Sequence, residues 1–283
     1  MEHIWILLVL FYGVSKGLRD AMKKLAMQKS SMMEVLFFHS LLAFIFIIPT
    51  VEDVFEIPTF FYLLIFLKSF VVFMAWILSF KSLKKMPVSS YGIIDVSGVI
   101  FSTLMGVFLL GEHLTIKNIS GLILVALGLY LVNIKTTDKT DGETNSKYII
   151  LALAACLLNA VSGTLDKVYT NYVTPGQLQF WFMFFMVMLY VAYLIFTGTK
   201  ISVKTVTKNY WIVILSILFV LADRALFIAN SDPDSKVSIM ILVKQSCVIV
   251  SILTGKFIFN EKNIMYKLLC AFVIIVGILF AVV

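Results

Sequence analysis

The sequence predicts an all-α membrane protein of ten transmembrane helices, arranged as two inverted five-helix repeats. Three observations predict it. Of 283 residues, 61% are apolar and 14% charged, where a soluble domain is about half apolar and a quarter charged. The apolar residues fall in long runs of about the 20 residues that cross a bilayer. The second half of the chain also echoes the first at a fixed offset.

The first run, 4–25, begins IWILLVLFY after MEH. It lacks a basic leader and a small-residue cleavage site, so it reads as a span and not as a cleaved signal. The second, 32–51, contains Pro49 near its end, and Pro58 precedes the third, 59–81. Pro87 opens the fourth, 87–110, and the fifth covers 115–134. The longest polar stretch, KTTDKTDGETNSK at 135–147, separates a first repeat, 1–134, from a second, 148–283. The second repeat reads as spans at 148–172, 175–196, 209–230, 236–259 and 263–283, with Pro175-Gly176 opening the seventh. Proline and glycine at these boundaries are the breakers expected between helices. Ten spans use roughly 220 residues, which leaves no room for a soluble catalytic domain or a nucleic-acid reader.

The echo is clearest between 88–128 and 237–277, offset by 149 residues. Val88/Val237, Ser89/Ser238, Ser97/Ser246, Val99/Val248, Ile100/Ile249, Ser102/Ser251, Leu104/Leu253, Gly106/Gly255, Phe108/Phe257, Glu112/Glu261 and Gly128/Gly277 are identical. Apolar bias explains some of these matches but not the glycines and glutamates. A weaker echo at 147 pairs Val14-Ser15 with Val161-Ser162 and Phe37-Phe38 with Phe184-Phe185. An odd number of spans per repeat turns the second copy upside down, an architecture of transporters with a site near the midplane.

The segment GVFLLGEHLTIKNISGLILVALGLYLV resembles the stretch that ends helix four and fills helix five in the EamA-like branch of the drug/metabolite transporter superfamily. FIFNEKNIMYKLLCAFVIIVGILFAVV is similar to a degenerate second copy. That copy has Asn260 for Gly111 and Cys270 for Gly121, departures that weigh against close packing of helices nine and ten. The resemblance implies a secondary transporter of small metabolites with a cavity between the halves. It leaves amino acids, sugar nucleotides, phosphorylated sugars, choline and drugs open as substrates, and it implies cytoplasmic termini.

Charge placement argues for the opposite orientation. The net charge is +7, and its distribution is a topology signal. Thirteen lysines (23, 24, 29, 81, 84, 85, 135, 139, 147, 200, 204, 208 and 262) lie in gaps that follow odd-numbered spans. The gaps after even spans hold Lys117 and Lys236 with five carboxylates. Positive-inside placement puts the lysine-rich gaps in the cytoplasm and both termini outside. We follow the lysine count. The expected location is a bacterial cytoplasmic membrane, with the chain crossing it many times.

An ionisable side chain inside a span costs a few kcal/mol or more, so its presence needs a reason. Lys16, Lys68, Asp95, Asp223, Arg224 and Lys244 lie near mid-span, and Arg19, Asp20, Glu34, Asp166 and Lys167 lie closer to span ends. The chain has 21 lysines and two arginines, each arginine beside an aspartate. Arginine offers a planar, permanently charged fork for carboxylate or phosphate. Arg224, the deeper of the two, is the better candidate; a fixed Arg–Asp clamp is the structural alternative. Asp95 and Lys244 are equivalent positions of the two repeats, so a two-fold axis in the membrane plane brings them toward each other. They are expected to pair across that axis and to serve a substrate or coupling role, against a permanent ion pair as the alternative. Tyr91, one turn before Asp95, and Trp76 are candidate cavity walls. Trp5 and Trp211 are expected in the interfacial belt, and a lone His39 is more often a structural hydrogen-bonding group than a proton carrier.

The candidate substrate-binding set is therefore Lys16, Lys68, Trp76, Tyr91, Asp95, Asp223, Arg224 and Lys244. Cys156, Cys247 and Cys270 have no metal-ligand spacing, and no HExxH, P-loop or GxSxG occurs. An enzyme is not expected, nor a cofactor or metal, nor ATP-driven pumping by this chain alone. Four mid-span cations against two anions point to secondary transport of an anionic or zwitterionic metabolite: an amino acid, a carboxylate or a small organophosphate. Asp95 or Asp223 is the candidate carrier of a coupling proton. The alternative is a lipid or lipid-linked flippase. The expected partners are the small-molecule substrate and the lipid bilayer, with no nucleic acid, and a monomer suffices.

Overall fold

The computed structural model describes residues 4–110, 115–136, 146–170, 172–204, 208–232, 240 and 243–282. The described residues form eleven α-helices: α1 (Ile4–Lys29), α2 (Met32–Ile47), α3 (Thr59–Lys85), α4 (Val88–Asp95), α5 (Ser97–Leu110), α6 (Ile116–Thr136), α7 (Ser146–Tyr169), α8 (Pro175–Thr197), α9 (Tyr210–Ser231), α10 (Ser246–Phe259) and α11 (Ile264–Val282). Six of the helical stretches are long and apolar enough to cross a membrane: Met32–Thr50, Thr59–Lys85, Val88–Met105, Ser146–Asp166, Pro175–Thr197 and Tyr210–Ala229. This is an all-α, multi-pass membrane protein.

Local chemistry sets the helix ends. Ser31 and Glu34 form a reciprocal capping box at the start of α2, and Thr174 and Gln177 form another at α8, where Pro175 takes the first helical turn. Both satisfy backbone N–H groups that a helix start leaves without partners. The left-handed conformations of Gly198 (φ 62°) and Asn260 (φ 51°) stop α8 and α10, as expected of residues that tolerate positive φ.

The packing respects the repeat. If each span exchanges with the span five later, α1 against α9 becomes α7 against α3. Likewise α1 against α10 becomes α7 against α5, and α2 against α9 becomes α8 against α3. The remaining large contacts, α2 with α8, α4 with α10 and α6 with α11, map onto themselves.

The fourth and ninth spans depart from the expectation of continuous helices. The fourth is interrupted at Val96 and the ninth at Gln245, positions that differ by 149 residues. Each break carries a hydrogen bond that reaches back three residues from its far side: the Val99 N–H donates to the Val96 carbonyl at 2.9 Å and the Val248 N–H to the Gln245 carbonyl at 3.0 Å. Neither break carries a proline. In a bilayer, irregular backbone is tolerated where it is buried in protein or lines a cavity; Val96 is 2% exposed and Gln245 lines a central cavity.

Glycine lets the first helix approach the second of these breaks. A Cβ on Gly13 would sit 3.0 Å from the Lys244 carbonyl oxygen, and one on Gly17 would sit 2.6 Å from that of Cys247. The loose packing expected of the last two spans does not extend to α6 and α11. There a Cβ on Gly277 would lie 2.8 Å from the Val125 backbone nitrogen and 2.9 Å from the Gly121 carbonyl oxygen, and Cys270 is fully buried. Trp5 also departs from expectation. It is 4% exposed and packs with Val9, Ala229 and Met240, so it is a core residue rather than part of an interfacial belt. Of the inter-repeat stretch 135–147, positions 137–145 lie outside the described residues, as do Glu112 and Lys236.

Candidate functional site

A cavity of about 390 Å³ lies at the centre of the bundle, walled by the first to fourth and sixth to ninth spans. Its size suits a small metabolite. Seven of the eight candidate residues line it: Lys16, Lys68, Trp76, Tyr91, Asp95, Asp223 and Lys244. So do Arg19, Asp20, Lys23 and Asp166. Five cations therefore share one cavity with four carboxylates.

Four ion pairs account for eight of these charges. Lys16 Nζ lies 2.5 Å from Asp95, Arg19 Nη1 lies 3.1 Å from Asp223, and Lys23 Nζ lies 2.8 Å from Asp20. Lys68 pairs with Asp166. Two of these pairs are mates under the repeat. Arg19 and Asp166 stand at the 147-residue offset, and the α1–α9 contact that holds Arg19–Asp223 exchanges with the α7–α3 contact that holds Lys68–Asp166. In both clamps the first half supplies the cation and the second half the carboxylate, so repeat-related positions carry opposite charge. Arg19 is further wrapped by rings, with its guanidinium carbon 5.5 Å from the Tyr12 centroid and 5.2 Å from that of Phe219. Lys68 stands 4.4 Å from the Phe182 centroid. Buried cations keep their charge with this kind of support.

Two readings of the sequence need correction here. Asp95 does not pair with Lys244. Its carboxylate is held by Lys16 of α1 at 2.5 Å. Arg224 does not reach the cavity. Adjacent helical residues point about 100° apart, so with Asp223 facing the cavity Arg224 faces α2 and the loop after it. There its Nη2 donates to the Thr50 carbonyl at 3.0 Å and the Thr50 hydroxyl at 2.7 Å, beside a separate, more open cavity that includes Glu52, Asp53 and Glu56. The arginine at the centre is Arg19. We expect Arg224→Lys to transport at the wild-type rate and to lose no more than about 1 kcal/mol of stability, the net worth of a hydrogen bond. Melting and uptake of the purified variant check both.

Lys244 is the fifth cation. Among the described residues it has no carboxylate partner; the Tyr12 ring stands 5.9 Å from its Nζ. The charges whose fields reach it are those of Lys16, Asp166 and Asp223, and all three of those groups are already paired. Polar groups of other kinds share the cavity. The Gln179 side chain is 1% exposed, and among the described residues neither its amide nitrogen nor its oxygen has a hydrogen-bond partner. His39 stacks on Trp76 at 5.5 Å and lies 3.1 Å from the Ser216 hydroxyl, the structural role expected of it. Tyr91 shares a 2.5 Å hydrogen bond with Ser79.

Sequence reasoning missed three of these features: the partner role of Asp166, the unpartnered amide of Gln179, and the use of Glu261. Glu261 was marked only as a repeat identity. Its carboxylate accepts from the backbone N–H of Val88 at 2.6 Å and of Ser89 at 3.3 Å, takes the Ser89 hydroxyl, and meets Lys267 at 3.3 Å. It thus caps the start of α4 from the end of α10, where the positive end of the helix dipole favours an anion. A Cβ on Gly255 would lie 2.7 Å from this carboxylate.

Comparison with known proteins agrees with this architecture. Residues 3–134 match the model of the EamA-like transporter family. No curated protein matches the chain. A solved crystal structure, described only as that of a protein, superposes with a TM-score of 0.68, covering 96% of this chain and 96% of its own at 15% identity, which shows a shared fold. The first half of the chain is thus similar to the EamA-like transporter family.

Proposed function

We propose that this membrane transporter moves a small anionic or zwitterionic metabolite (an amino acid, a carboxylate or a small organophosphate) by alternating access through the central cavity. The observation that carries the reading is Lys244, a cation without a carboxylate partner among the described residues, in a cavity whose other charges are mutually neutralised. A solute with one negative group completes the balance, whereas a monovalent cation adds to an excess. The polar amide of Gln179 and the rings of Trp76, Phe182 and Phe219 supply hydrogen bonding and apolar contact around it. Asp95 and Asp223 are the carboxylates through which a proton would couple, since protonating either releases a cation to the substrate.

The test is accumulation by sealed proteoliposomes from a metabolite extract, read by mass spectrometry against protein-free vesicles. Solutes bearing a carboxylate or phosphate are expected to accumulate; accumulation of monocations alone contradicts the reading. For orientation, the lysine distribution predicts termini outside the cytoplasm. Reporter fusions at residue 283 and within 135–147 should therefore report opposite sides, the loop being cytoplasmic.

A further inference from the structure

On one side of the cavity, the first and fourth spans carry the Lys16–Asp95 pair. The mates of these positions lie on the sixth and ninth spans. Asp95 corresponds to Lys244 at the 149-residue offset, and Lys16 corresponds to Gly163 at the 147-residue offset, directly after the Val14-Ser15 and Val161-Ser162 identities. The mate of a lysine–aspartate pair is thus a lysine and a glycine. Gly163 lines the cavity together with Lys244, and a Cβ built on it meets no atom within 4 Å. By contrast, Gly13 and Gly17 on α1 are packed against backbone. Close helix approach therefore does not explain the glycine at 163.

We propose that Gly163 leaves room for a carboxylate of the substrate, which takes beside Lys244 the place that a protein carboxylate occupies beside Lys16. This rests on the reading of Lys244 as the anion-binding cation and adds a location to it. The two pairs are related by exchange of sign. One lysine and one aspartate bridge the gap between the first and fourth spans, so the same two side-chain lengths in reverse order bridge the gap between the sixth and ninth. A carboxylate tethered at 163 should then reach Lys244 and exclude a free one.

The experiment uses acetate, the smallest stable carboxylate probe, and reads apparent melting temperature in detergent against sodium chloride at equal ionic strength. A ligand that binds the folded state raises that temperature. Wild type and Gly163→Asn are expected to rise by a few degrees in acetate. Gly163→Asp is expected to melt at or above wild type and to show no response. A second route adds the charge after folding: Gly163→Cys in a Cys156→Ala background, treated with an anionic or a cationic methanethiosulfonate. The anionic adduct is expected to lose the acetate response and the cationic adduct to keep it. A Gly163→Asp protein or an anionic adduct that still responds to acetate overturns the proposal, as does loss of response in Gly163→Asn. Those results leave Lys244 in place as an anion site. A Lys244→Gln protein that responds as wild type, or a wild type that does not respond, removes the anion reading itself.

Discussion

Asp223→Asn is expected to lower unfolding free energy by about 3–5 kcal/mol, the range for removing one partner of a buried ion pair. Arg19 is then left 7% exposed without a carboxylate, in the middle of the bundle. The Tyr12 and Phe219 rings still face its guanidinium, which places the expected loss toward the lower end. The double variant Arg19→Met/Asp223→Asn should be markedly less damaged than the two single losses summed, because it leaves no charge stranded. Thermal melting of the four proteins reads the coupling. Additive single effects would mean that the pair is not a clamp between halves.

The architecture could be read from the sequence because its signals are local or periodic. Apolar run length marks spans, Pro58, Pro87 and Pro175 mark starts, and repeated serines, glycines and glutamates mark the two copies. The helix breaks at Val96 and Gln245 carry no such signal. They arise from tertiary packing, where a glycine ridge on α1 presses against backbone at Lys244 and α4 crosses α10 so closely that a Cβ on Gly92 would lie 2.5 Å from that of Ser251.

The candidate site could be read by residue type but not by direction. A charge at mid-span depth has to be accounted for, and that argument singled out five of the residues that line the cavity: Lys16, Lys68, Asp95, Asp223 and Lys244. Depth alone does not give azimuth. Asp223 and Arg224 have the same depth, yet one faces the cavity and the other faces Thr50. Asp95 and Lys244 are equivalent positions, but the repeat offset relates their backbones and not their partners. Asp166 looked peripheral because it lies near the end of α7, and only the packing of α7 on α3 brings it to Lys68. Gly163 carried no chemistry of its own; its meaning appears only beside its mate, Lys16.

The central claim is that Lys244 holds the negative group of the solute. Removing one partner of a desolvated charge pair costs about 2–5 kcal/mol, and each 1.4 kcal/mol is about tenfold in affinity. Lys244→Gln should therefore weaken substrate binding by roughly 30-fold or more. It should leave the fold intact, since among the described residues no carboxylate loses its partner. The most direct measurement compares wild-type and Lys244→Gln proteoliposomes, matched for folded protein, in initial uptake of the anionic solutes that wild type accumulates. The account predicts that uptake by the variant falls to the level of protein-free vesicles at subsaturating solute. Wild-type uptake by Lys244→Gln would contradict it.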